Sequence, residues 1–250
     1  MKMNSIKMIV IFLFFALLRA NATLVVIAPH PDDAESSCGG LIANTTARGE
    51  RVVILTMTGG EIGLSGKTIE ETYNIRRNEA EKGAEILGAE LLYFGGLDGS
   101  LTVDNANTEK LKKVLESINP DVVVAPWMLD VHVDHQATSM LAWRVFMDNA
   151  LHFQLYFYET ANEPHTKSIQ FYPTNYVDIS NVLEIKKKAV AQHKCQGAEQ
   201  WYKQYEIMAT FRGYEADVNA AEAYVKAQNS SGMGGRQAKC GCCLDNSPSF

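Results

Sequence analysis

Three uninterrupted apolar runs, "LVVIAP" (24–29), "RVVILTM" (51–57) and "PDVVVAPW" (120–127), most constrain this chain. None alternates apolar with polar residues, so none has a solvent side. A strand of that kind is buried on both faces, which is the situation in a parallel sheet covered by helices. Helical stretches separate the runs. The spacing predicts helices over 38–49, 70–88 and 107–118, and one from near His135 to about Ala150. "ELLYFG", "FQLYFYET" and "NYVDIS" predict further strands, and 181–195 and 214–228 predict late helices. The expected fold is α/β and Rossmann-like: a mostly parallel sheet with helices on both faces. In such sheets ligands bind beyond the carboxyl ends of the strands. The loops "PHPDD", "TGGE" and "APWMLDVHVDH" follow the three runs, so they are expected to meet on one rim.

Those loops concentrate the residues that can do chemistry. His30, Asp33 and His135 offer two imidazoles and a carboxylate, good ligands for zinc, with another divalent transition metal open. Three protein ligands leave a position for water, whose pKa zinc lowers to about 7. Asp32, next to Asp33 and pointing elsewhere, is a candidate general base. His132 is then free to face a substrate. With Asp134 holding it protonated, it could stabilise an oxyanion and donate to a leaving amine. The set suits hydrolysis of an amide. Glu35 is a candidate outer partner for a ligand histidine. Asp98, in "GLDGSL", reads as a turn aspartate, with a place near the same rim as the alternative. Gly39 and Gly40 are expected to let their helix pack closely.

A dinucleotide-binding reading fails at the first turn. It needs G-x-G-x-x-G directly after the first strand, and the acids of "PHPDD" would repel a pyrophosphate. The net charge of −6 gives no reason to expect nucleic acid or an anionic membrane as a partner.

"PHPDDAESSCGG" and "HVDH" resemble the two signature motifs of the zinc-dependent N-acetylglucosaminyl deacetylases of the PIG-L/LmbE superfamily. "TMTGGEIGLSG" and "IRRNEAEKGAEILGAE" are similar to that family's glycine-rich loop and following helix. "AQHKCQG" resembles its His-x-Ser-Gln segment, and "FRGYEADVNAAEAY" its last helix. The resemblance covers roughly residues 24–228 and implies an LmbE-like deacetylase fold. It implies His30, Asp33 and His135 as metal ligands, Asp32 as base, His132 as transition-state stabiliser and Arg76 as a substrate contact. It also implies a site role for His193 and Gln196, with a buried packing role for that segment as the alternative. The activity implied is removal of acetyl from an N-acetylglucosamine-type sugar or glycoconjugate. An amidase acting on a sugar–thiol conjugate is the alternative. Glu61, on the glycine-rich loop, is a candidate for sugar hydroxyls. The chain departs from the family pattern at Val133, where Pro is common, at Gly59, where Arg is common, and at Cys195, where Ser is usual.

The ends carry separate expectations. Lys2 and Lys7, the 11-residue apolar run Met8–Leu18 and the small residues Ala20–Ala22 read as an export signal over 1–22. The run is shorter than the roughly 20 residues that span a bilayer, so no stable membrane anchor is expected once it is cleaved. This points to a secreted or periplasmic protein, with retention as an uncleaved N-terminal anchor as the alternative. A single domain is expected over 23–229, followed by a flexible tail over 230–250. Three of the five cysteines, Cys240, Cys242 and Cys243, fall in that tail, and their irregular spacing shows no disulfide framework. A homo-oligomer is left open.

Overall fold

The computed structural model describes residues 22–148, 150–161 and 170–228. The apolar N-terminal run and the cysteine-containing tail lie outside the described residues. Among those described, no helix is long and apolar enough to cross a membrane.

The chain alternates as expected: β1 (Thr23–Ala28), α1 (Asp33–Ala47), β2 (Arg51–Thr58), α2 (Ile69–Leu87), β3 (Glu90–Gly96), α3 (Asn105–Ile118), β4 (Val122–Pro126), α4 (Val133–Asp148) and β5 (Gln154–Tyr158). Then come β6 (Asn175–Asp178), α5 (Leu183–Val190), a 3₁₀ turn (Lys194–Gln196), α6 (Ala198–Glu215) and β7 (Ala221–Lys226). The seven strands form one sheet in the order β3-β2-β1-β4-β5-β7-β6. Strands β1 to β5 are parallel to one another, and β7 runs antiparallel to both β5 and β6.

Successive side chains of a strand point to opposite faces, so each apolar run feeds two cores. Leu24, Val26 and Ala28 of β1 pack with Cys38, Leu41 and Ile42 of α1, Leu87 of α2, Ala189 of α5 and Ala209 of α6. Val25 and Ile27 pack on the other side with Leu111 and Leu115 of α3 and Leu141 and Val145 of α4. The chain direction of connection reverses at β1, whose neighbours are β2 and β4. This is the switch point where doubly wound sheets open a crevice at the strand ends.

Helix α2 starts with a capping box, in which Thr68 accepts from the Glu71 N–H and Glu71 accepts from the Thr68 N–H. It ends, as expected, at Gly88, which has φ 70°. Helix α1 begins at Asp33, five residues before the expected start. The acids of its first turn, Asp33 and Glu35, complement the helix dipole where composition alone suggested a turn.

The C-terminal expectation is corrected. Residues 214–228 are not a helix: α6 ends at Glu215 and Ala221–Lys226 is strand β7. Ala and Glu favour helix locally, but "AEAYVK" makes ladders on both edges and is buried at its first four residues. Helix α6 escapes a pattern search because Ala198, Tyr202, Tyr205, Ala209 and Arg212 carry its buried stripe, rather than Leu or Ile. The expected helix over 181–195 is shorter, stopping at Val190 before the 3₁₀ turn.

The close approach expected of α1 is confirmed. A Cβ on Gly40 would lie 2.3 Å from Ile179 Cγ2, and the Gly40 N–H donates to Glu222 Oε1 at 2.8 Å. Gly40→Ala is therefore expected to lose about 1–3 kcal/mol through overpacking, against a helix-propensity gain of roughly 1. A shifted urea midpoint with unchanged slope would show it.

Candidate active site

His30 leaves the end of β1 and is buried among three carboxylates. Its Nδ1 lies 3.3 Å from Asp33 Oδ2, and its Nε2 lies 3.2 Å from Asp134 Oδ2 and 3.3 Å from Asp98 Oδ1. His135, in the first turn of α4, places Nε2 3.3 Å from the same Asp33 oxygen. One carboxylate oxygen thus sits equally far from two imidazole nitrogens on different elements. Donors about 2.0–2.1 Å from a tetrahedral zinc are separated by roughly 3.3 Å, so this spacing suits such an ion. His132 adds a third imidazole, with its ring centroid 4.6 Å from that of His30 and 5.4 Å from that of His135. His30, His132 and His135 form a group whose nitrogens lie within 4.8 Å of one another, able to hold a metal ion.

Carboxylates behind the His30 and His135 rings fix their orientation. Asp130 Oδ2 lies 3.1 Å from His135 Nδ1, so the ring proton belongs there and Nε2 is left facing Asp33. Asp130 also accepts from the His132 N–H at 2.8 Å and from the Thr160 hydroxyl. On His30, Asp98 and Asp134 hold the Nε2 proton and leave Nδ1 toward Asp33. Asp130→Asn keeps the shape but loses the charge. It is expected to weaken metal affinity about 10–100-fold, read by competition with a chelator.

The charges follow from this geometry. Burial opposes the charged form of His135, but Asp33 and Asp130 outweigh it and raise the pKa to about 9. Burial opposes His30 as well, and Asp134, Asp33 and Asp98 hold it well above the ordinary value. Asp33 is kept well below the usual carboxylate range despite burial, chiefly by His135 and then His30. His132 is pushed down by burial and by the other two imidazoles.

Asp32 stands at the N-cap of α1 with φ 120° and ψ −26°. A non-glycine residue there is strained by about 1–3 kcal/mol, and such strain gathers at functional sites. The turn that strains it also splits the two adjacent acids. Asp33 faces the imidazoles, and Asp32 Oδ2 faces Arg76 Nη2 at 3.1 Å. Burial raises the Asp32 pKa, Arg76 works against this, and Asp33 adds to it.

The PIG-L family profile, described as GlcNAc-PI de-N-acetylase, matches residues 25–146. The diacetylchitobiose deacetylase of Thermococcus kodakarensis is 31% identical over 197 residues, 73% of each chain. This chain belongs to the PIG-L/LmbE deacetylase family. The N,N'-diacetylchitobiose deacetylase of Pyrococcus horikoshii, solved with an inhibitor, superposes on this PIG-L protein with a TM-score of 0.72. The two are 26% identical, over 82% of this chain and 83% of that one. The relatives also include a 4-oxalmesaconate hydratase of Pseudomonas putida, 26% identical over 78% of this chain and 81% of its own.

Within this PIG-L site several expected contacts are redistributed. Asp134 does not pair with His132. Its carboxylate is occupied by His30 and by the N–H groups of Gly99 at 2.6 Å and Leu101 at 3.1 Å. The first turn of α4 points it inward, toward the loop after β3. Arg76 is buried and donates to Pro31 O at 2.7 Å, Gly60 O at 3.2 Å and Asp32. It ties the first two rim loops together rather than reaching out to a ligand. Gly60, at φ 62°, makes room for it, since a Cβ there would lie 2.1 Å from Arg76 Nη1. Glu61 is buried; its Oε1 accepts from the Asp98 N–H at 2.9 Å and braces the rim, while its Oε2 has no hydrogen-bond partner.

Glu35 meets His193 Nε2 at 3.3 Å, not a ligand histidine. His193 in turn lies close enough to Asp32 to lower that carboxyl's pKa. Gln196 reaches the glycine-rich loop, with Nε2 3.5 Å from where a Gly63 Cβ would stand. The Cys195 N–H donates to Glu79. Sequence reasoning missed Asp130 and Thr160, and preferred a turn role for Asp98 over the place on the rim that it takes. Asp130 carried a signal, standing two residues before His132 in "LDVHVDH"; Thr160 carried none.

Proposed function

We propose that this chain is a zinc-dependent N-deacetylase acting on an N-acetylglucosamine-type sugar or glycoconjugate, producing acetate and a free amine. The observation that carries the reading is the Asp33 oxygen shared by His30 and His135, with Asp32 turned away beside it and His132 across from it. The identity to a diacetylchitobiose deacetylase supports the substrate class.

His30, Asp33 and His135 would hold the zinc ion, which supplies acidified water and a polarised carbonyl when bound. Asp32 takes the proton of the attacking water and returns it to the nitrogen as the C–N bond breaks. A pKa raised by burial suits both steps. His132 is read as a neutral hydrogen-bond donor. Its Nδ1 accepts from the Asp134 N–H at 3.2 Å, so its proton resides on Nε2, available to the developing oxyanion. That replaces the protonated His132 expected from the sequence. Arg76 keeps Asp32 in place from behind.

The amidase alternative differs only in what leaves, and the hydratase relative acts by another reaction. One experiment separates the two hydrolases: metal analysis of the purified protein, with acetate release measured on N-acetylglucosamine and N,N'-diacetylchitobiose and release of a free amine measured on a sugar–thiol conjugate. Zinc bound with no acetate from any sugar would sink the deacetylase reading. We propose export on the strength of the charged, apolar and small-residue order of 1–22.

A further inference from the structure

The loops that carry the charged site also carry exposed apolar side chains. Ile62, Leu97, Leu129, Val131 and Val133 are each 42–70% exposed. Each is adjacent in sequence to a residue whose side chain is engaged at the site or its rim: Glu61, Asp98, Asp130, His132 or Asp134. Hydrogen bonds staple the loops that carry them. Asp134 accepts from the Gly99 and Leu101 N–H groups, which joins the start of α4 to the loop bearing Leu97. Asp98 Oδ2 accepts from the Ile62 N–H at 3.1 Å, which joins the glycine-rich loop to the same segment. A Cβ on Gly99 would lie 3.0 Å from Ile62 Cδ1, so that side chain covers the junction. Exposed apolar residues scattered singly need no explanation, whereas a run of them around a polar pocket marks a binding surface.

The charge of the rim narrows what it binds. The loops 59–67, 97–104 and 127–132 hold one basic residue, Lys67, and several acids. Arg76, the nearest guanidinium, is committed to Pro31, Gly60 and Asp32. Glu61, Asp98 and Asp130 are turned inward and engaged, so a phosphate or carboxylate on the substrate would find Lys67 alone on these loops to pair with.

We propose that these side chains form a collar that binds the aglycone, and that the substrate is an N-acetylglucosaminide of an uncharged, apolar group. The inference rests on the deacetylase reading above. The acetyl group must reach the histidine cluster, so whatever is attached to the sugar emerges through the mouth and lies on the collar.

The test compares acetate release from the methyl and hexyl β-glycosides of N-acetylglucosamine and from a glycoside of a dicarboxylate such as malate. The hexyl glycoside is expected to have a kcat/KM at least about 10-fold above the methyl one, carried by KM. The dicarboxylate glycoside is expected to fall below both. In Leu97→Ser/Val131→Ser, the hexyl-to-methyl ratio is expected to drop toward one. Equal kcat/KM for hexyl and methyl glycosides in the natural chain would overturn the proposal and leave the deacetylase reading standing. So would an unchanged ratio in the variant. Absence of acetate from all three would overturn both. If the collar instead seats a second copy, the natural chain would show no hexyl preference and sediment as an oligomer that the double variant dissociates; that outcome also overturns the proposal.

Discussion

Asp32→Asn is expected to lower kcat for acetate release by about 10²–10⁴-fold, the usual contribution of a positioned general base, while metal content stays at the natural level. The substitution is close to isosteric. Asparagine tolerates positive φ better than most residues, so the strained start of α1 at φ 120° is preserved. Its carbonyl oxygen can still accept from Arg76, as Asp32 Oδ2 does at 3.1 Å. What it cannot do is take a proton from water. The proposed metal ligands are untouched, because the turn sends Asp33 toward His30 and His135 and Asp32 the other way. Activity within about tenfold of the natural chain would show that some other group takes the proton.

Asp33→Ala is expected to abolish stable metal binding and, with it, turnover. The loss should exceed the roughly 10–100-fold that follows removal of an outer-shell partner, since the one oxygen common to both histidines disappears. Zinc should then no longer raise the thermal midpoint, because a ligand stabilises only the state that binds it. A variant that retained zinc after dialysis would remove Asp33 from the ligand set.

The natural chain should show a pH signature of the same site. Without an ion, His135 holds its proton to about pH 9 and His30 holds its own well above the ordinary histidine value. Both must be neutral to ligate, so binding expels protons. Apparent zinc affinity should therefore rise between pH 6 and 8, by about tenfold per unit for each proton displaced. Chelator competition at three pH values checks this, and a flat profile would contradict the buried ion-pair arrangement. The sign for stability is the reverse. The raised histidine pKa stabilises the ion-free fold below about 6.5, and that contribution is lost as pH rises toward 9.

Much of the fold was legible because apolar runs such as "RVVILTM" carry their burial in their composition. The failures came where another signal dominated locally. Ala and Glu in "AEAYVK" argue for helix, and only pairing with β5 and β6 makes it a strand. Its Glu222 is buried because Lys186 and the N–H groups of Gly40 and Leu41 meet it, partners at a distance that no window around position 222 reveals; only the Tyr224 hydroxyl comes from nearby.

The site divides in the same way. His30, Asp32, Asp33, His132 and His135 could be named from residue type and spacing, because metal ligation and proton transfer need those side chains and the strand ends gather them. Their partners were set elsewhere. Asp134 serves His30 rather than His132, Asp130 holds His135, and Arg76 and Glu61 brace the rim. The sequence by itself determined which chemical groups are available and that parallel strands would bring them to one edge. Only the tertiary structure decided which oxygen faces which nitrogen. That choice depends on the phase of α4, the strained turn at Asp32 and the crossing of loops about a hundred residues apart, none of which local periodicity encodes.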